Sequence, residues 1–210
     1  MKPQVILRHC DEYDPERIAA ILSEGMEALD VRPQGRVLVK PNLVLPQPRF
    51  FPHCFTRPEF MDGLLRAVWA RGEELDDLAV GERSGLSIPS RMAFAEAGYL
   101  PVLRHHHARP EYFDEHPSVP VQLHHPQALR PLIYVARGVT RCDFLVNAAK
   151  FKAHTWLKVT FALKNYIGIQ DDAHKLIDHD HKLAHKIADL QEVVQPGFIA
   201  IDGITAGEYS

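Results

Sequence analysis

Residues 147–165 read NAAKFKAHTWLKVTFALKN, placing Lys150, Lys152, Lys158 and Lys164 beside His154 and among Val159, Phe161 and Leu163. Clustered ammonium groups repel one another unless an anion or a carboxylate lies among them. The stretch therefore points to a ligand carrying a phosphate or carboxylate group. A lysine in such a cluster can also have a lowered pKa and act as a base or Schiff-base nucleophile. Lys150, Lys152 and Lys164 are the candidate anion holders, and His154 is the candidate general acid or base. The competing reading is a solvated helix face, the usual fate of helix lysines.

The elements around this stretch alternate between strand and helix. Residues 4–9 (QVILRH), 36–40 (RVLVK), 78–82 (LAVGE), 144–147 (FLVN) and 198–202 (FIAID) read as strands. Asp14 and Pro15 open a helix with Ile18, Ile21, Leu22, Met26 and Leu29 on one face. Thr56 and Glu59 have capping-box spacing ahead of a stripe of Phe60, Leu64, Leu65, Val68 and Trp69. A short helix ends near Ala97 with Gly98 as its stop, and another spans residues 180–194. Residues 101–136 contain three short strand-like runs (LPVLRHHH, VPVQLHH and PLIYVARGV), read as a β-rich excursion at the sheet edge. The pattern predicts a single α/β domain over 1–210 with a mostly parallel, Rossmann-like, doubly wound sheet.

In such a sheet, ligands bind beyond the carboxyl ends of the strands. Lys40 and Asn42 follow the second strand, Glu82 ends the third, and Asn147, Lys150, Lys152 and His154 follow the fourth. Asp202 follows the fifth. Polar residues are common at any one strand end, because chains exit to solvent there. Four such coincidences favour one shared pocket. If 154–167 is helical, His154, Lys158 and Asn165 fall within roughly 40° of one another. Trp156, Val159, Leu163, Tyr166 and Ile167 would then face the sheet.

The stretch HKLIDHDHKLAH (174–185) invites a metal reading, since His181 and His185 are four apart. Leu183, Ile187, Leu190 and Val194 define the buried stripe opposite them, and the glutamate of an HExxH motif is missing, so a solvated face is favoured. His179 falls beside the apolar stripe. With Glu82 and Asp202 it forms a possible metal set that no local spacing supports. The triple His105–His107 carries no chemistry of its own. No GxGxxG, GxxxxGK[ST] or GxSxG occurs, so dinucleotide, P-loop and nucleophile-elbow signatures are lacking.

A formal charge of −3 gives no overall basic field and argues against a nucleic-acid binder. The 13 histidines will swing the net charge positive as pH falls through neutrality. Cys10, Cys54 and Cys142 form no CxxC, which fits reduced thiols, and no apolar run has the length of a membrane span. The N-terminal residues have no signal-peptide pattern, so the expected location is cytoplasmic.

The ordered set VLVKPNLV (37–44), TRP (56–58), VGE (80–82), AGY (97–99), CDFLVNAAKFKAH (142–154), VTFALKNYIG (159–168) and IDGITA (201–206) resembles the domain-of-unknown-function 362 family. Its most specific part is K-x-K-x-H followed by T-x-x-x-K-N-x-x-G. The resemblance implies an α/β protein, often fused or adjacent to ferredoxin-type iron–sulfur modules, with no general biochemical function or cofactor attached. The family's recurring polar residues correspond to Lys40, Asn42, Thr56, Glu82, Lys150, Lys152, His154, Thr160, Lys164, Asn165, His179 and Asp202. The cysteine-rich module is absent here, so an iron–sulfur role implies a separate partner protein. The family pattern normally continues past the Asp-Gly motif, so a fragment or a minimal version is expected. The resulting expectation is a Lys/His-lined pocket for an anionic small molecule. The alternative is a non-catalytic partner of an iron–sulfur protein.

Overall fold

The computed structural model describes residues 4–208 apart from Leu86, Trp156, Asp178 and Asp180. Helix α1 (Pro15–Ala28) begins at the Asp14 cap, whose carboxylate accepts the Glu16 amide at 2.9 Å. Strand β1 (Gln34–Lys40) leads through α2 (Pro58–Arg71) to β2 (Glu73–Glu82). Helices α3 (Ser90–Glu96) and α4 (Tyr99–His105) precede β3 (Arg109–Tyr112). Strands β4 (Val119–Gln122) and β5 (Leu132–Val135) and helix α5 (Arg137–Arg141) then lead into β6 (Phe144–His154). Strand β7 (Lys158–Thr160) and helices α6 (Ala162–Asn165), α7 (Asp172–Leu176) and α8 (Leu183–Val193) complete the chain with β8 (Phe198–Gly207).

Five strands form a parallel sheet in the order β3-β2-β1-β6-β8, and β7 adds an antiparallel strand beside β6. Chain order reverses between β1 and β6, which is the topological switch point where open α/β sheets hold ligands. Apolar cores lie on both faces. One gathers Ile18, Met26, Leu64 and Val68 of α1 and α2 against Val37, Val39 and Val146. The other gathers Leu183, Ile187 and Leu190 of α8 against Leu38, Ala79 and Leu145. Alternate residues of one strand enter opposite cores, as the period of two requires. Among the described residues no helix is long and apolar enough to cross a membrane.

Several local expectations give way to tertiary context. Residues 4–9 pair with no strand, and Val5 and Leu7 are exposed. A β-rich run without a partner forms no ladder. Thr56 does not cap α2; its hydroxyl donates to the Ala148 carbonyl at 2.8 Å and accepts the Asn42 amide at 3.0 Å. Trp69 is exposed rather than buried in the α2 stripe, with its indole donating to the His106 carbonyl at 2.9 Å.

The run LPVLRHHH is helical because Gly98, at φ 76°, stops α3 and starts α4. Its middle histidine, His106, is buried against Asp62 at 2.7 Å. Of the β-rich excursion, β3 belongs to the main sheet beside β2, whereas β4 and β5 form their own antiparallel pair.

Residues 154–167 form no continuous helix. β1 pairs with β6 only as far as Asn147, which leaves the rest of that flank of β6 open. The chain turns after His154, and β7 fills the flank, pairing Lys152 with Thr160 and His154 with Lys158. Val159, Thr160 and Phe161 suit a strand better than a helix. Val159 and Leu163 are therefore exposed, while Tyr166 and Ile167 are buried; Trp156, expected on the same apolar face, lies outside the described residues.

Candidate functional site

A cleft of about 450 Å³ opens beyond the carboxyl ends of β1, β2 and β6. Its floor is an ion pair. Lys40 Nζ lies 2.8 Å from Glu82 Oε2, and the two side chains are 0% and 2% exposed. Glu82 also accepts the Arg83 amide at 2.9 Å and the Leu43 amide at 3.3 Å. Burial pushes the Lys40 ammonium down and the Glu82 carboxyl up, and their mutual attraction opposes both shifts. Lys40 is thus occupied beneath the cleft rather than available within it.

Asn165 staples the floor together. Its amide nitrogen donates to the Asn147 side chain at 2.8 Å and to the Pro41 carbonyl at 3.2 Å. Its oxygen accepts from Asn42 at 3.1 Å. The β7 hairpin is what returns the chain from β6 to the end of β1, so that Asn165 reaches it. Gly168 then passes directly over the pair: a Cβ there would collide with Glu82 Oε1 and lie 2.9 Å from Lys40 Nζ. This contact gives the spacing K-N-x-x-G a steric reason.

Three further lysines line the walls. Lys152 donates to the Cys54 carbonyl at 2.7 Å, and burial lowers its pKa to about 8. Lys164 also falls to about 8, through burial and then repulsion from Lys40. Among the described residues it has no hydrogen-bond or ion-pair partner. Lys175 donates to the carbonyls of Arg83 at 3.0 Å and Ser84 at 2.6 Å, and burial brings it to about 8 as well.

His154 and His179 line the same cleft. The Nδ1 of His154 accepts the Leu157 amide at 3.2 Å, so its neutral ring carries the proton on Nε2. Burial, followed by Lys164, His179 and Lys152, pushes its pKa down to about 4. Arg83 brings a further cation to the wall and lies 3.5 Å from Asp172. Against these cations stand Glu82, already paired, Asp172 at 3.9 Å from Lys175, and Glu208. Among the described residues positive charge is in surplus.

Of the residues expected at the site, the fold brings Asn42, Glu82, Lys152, His154, Lys164, Asn165 and His179 to one cleft. Lys150 and Asp202 lie elsewhere, a correction to the expected set. β8 continues to Gly207, so Asp202 sits within the strand on the face of Phe198 and Ala200 rather than at its end. There it meets Lys150 at 3.0 Å, Tyr13 at 2.9 Å and the Arg57 amide at 3.1 Å. With Glu82 and Asp202 each tied to a lysine, the proposed metal set is not assembled. Among the described residues no group of three His, Cys, Asp or Glu could hold a metal ion.

Lys158 turns outward in the hairpin at φ 64°. His181 and His185 are both exposed, opposite the buried stripe of α8. Sequence reasoning missed Lys175, which reaches the cleft because α7 folds over the turn after β2; no local spacing signals that contact. It also missed the apolar wall of Val44, Leu45, Phe51 and Leu176.

Sequence comparison adds a relative and a family. The chain is 25% identical over 224 residues to the Thylakoid-associated protein sll1697 of Synechocystis sp., covering 99% of this chain and 65% of that protein. The chain therefore spans less than two thirds of this relative. A family model matches residues 37–209, a span that includes every cleft residue named above, and the chain belongs to the family described as Domain of unknown function (DUF362).

Proposed function

We propose that the cleft binds a small anionic molecule through Lys152, Lys164 and Lys175. The observation that carries this reading is the cation surplus around a carboxylate already committed to Lys40. Partly buried ammonium groups that are not neutralised repel one another and are poorly solvated, and an incoming phosphate or carboxylate relieves both penalties. His154, neutral with its proton on Nε2, fits a hydrogen-bond donor to such a group better than a base. A lysine near pKa 8 also keeps a fraction of free amine at neutral pH, which supports an enzymatic use as base or nucleophile. Cytoplasmic residence belongs to the same proposal, supported by the three free cysteines; thylakoid association is the printed property of the relative.

Trinitrophenylation at pH 8, read by peptide mass spectrometry, tests the site. Lys152, Lys164 and Lys175 should be modified ahead of the surface lysines and be protected by inorganic phosphate. Phosphate that shields none of the three would overturn the proposal.

A further inference from the structure

The cleft is larger and more apolar than a bare inorganic anion needs. Val44, Leu45, Phe51 and Leu176 all border it, and each keeps at least 40% of its surface exposed. Single exposed apolar residues are ordinary, but several around one concave site mark a surface that is covered in use. Cavities of several hundred Å³ match ligands of many heavy atoms, whereas phosphate would fill only the lysine-lined part. Asn42 and Ser84, which also border the cleft, are themselves only 3% and 1% exposed, so the polar part of the lining is firmly embedded.

We infer that the occupant is an amphiphilic anion, with its charged group among Lys152, Lys164 and Lys175 and its apolar body against Val44, Leu45, Phe51 and Leu176. This rests on the anion-binding reading above and adds the second half of the ligand. The loop after β1 and helix α7 supply the apolar wall, while β6, α6 and α7 supply the cations. The two chemistries are combined in one concavity, which selects molecules carrying both.

Isothermal titration of the whole chain with paired probes tests the inference. The short probes are inorganic phosphate and acetate, the long ones octyl phosphate and octanoate, and octanol is the uncharged control. Each pair of buried methylenes strengthens binding roughly tenfold, so at least one long probe should bind about thirtyfold or more tighter than its short parent. Octanol should bind more weakly than the long anions. Leu176→Asp should collapse the ratio of long to short affinity, whereas Lys164→Gln should weaken both members of a pair. Equal affinity for long and short probes would overturn the amphiphile while leaving the anion site standing. Octanol binding as tightly as octanoate would also overturn it. If no anion binds at all, the anion-binding proposal itself fails.

Discussion

Two buried lysine–carboxylate pairs are built from the same parts and end in different situations. Lys40 and Glu82 come from the ends of β1 and β2 and meet at 2.8 Å. Lys150 and Asp202 lie opposite one another on β6 and β8 and meet at 3.0 Å. The second pair is closed: Lys150 also donates to Tyr13 at 2.9 Å and to the Thr205 carbonyl at 2.7 Å, while Asp202 accepts from Tyr13 and the Arg57 amide. In the cleft above the first pair, Lys152, Lys164 and Lys175 crowd together without a matching set of carboxylates among the described residues. A buried ion pair alone therefore does not mark a site. The anion-binding proposal rests on the surplus of charge beside it.

Breaking either pair should have the largest effect on stability. Glu82→Gln and Asp202→Asn each leave a lysine uncompensated in the interior, and each should destabilise the chain by about 3–5 kcal/mol in urea unfolding. The comparison separates them by binding. Folded Asp202→Asn protein should still bind phosphate in calorimetry, and loss of binding there would erase the distinction between the two regions.

A smaller loss is expected from Gly168→Ala. The added methyl meets Glu82, so the 3₁₀ turn at Tyr166–Ile169 or the carboxylate must shift, at about 1–3 kcal/mol measured as a fall in unfolding midpoint. The methyl also disturbs the floor of the cleft, and phosphate affinity should fall with it.

The pH dependence sharpens the comparison further. Lysines near 8 in the fold and 10.5 in their ordinary state are less protonated when folded, so the unligated chain should gain stability as pH rises between those values. Phosphate affinity should fall over the start of the same range, as the ammonium groups lose their protons. Below neutrality His154 acts in the same sense: stability should decline as pH falls from 6.5 toward about 4, because the unfolded chain takes up the proton first. Denaturation midpoints and phosphate titrations across pH 4–10 check all three trends.

The smallest stability effect belongs to Lys164→Gln. Removing a partly buried cation that has no ion-pair partner among the described residues should leave stability within about 1 kcal/mol of the parent chain while weakening phosphate binding severalfold. A large loss of stability would mean that Lys164 is structural, like Lys150.

Much of this molecule is legible in its residues. The strand runs at 36–40, 78–82, 144–147 and 198–202, the Asp14 cap and the Gly98 stop depend on local periodicity and backbone chemistry, and they stand where those rules put them. The strand-end rule also located Asn42, Glu82, Lys152 and His154 at one cleft. What the residues alone could not decide was which neighbour each polar group would find. The 154–167 stretch carries helical spacing, yet the open flank of β6 draws it into a hairpin, because unpaired backbone groups beside a sheet outweigh local propensity. Asp202 looks like a strand end until β8 continues past it, and Lys175 has no local mark at all. Local preference and alternation are properties of nearby residues. Charge balance is set by groups brought together across long stretches of chain, so only the folded chain separates the sealed Lys150–Asp202 pair from the cation-rich cleft above Lys40 and Glu82.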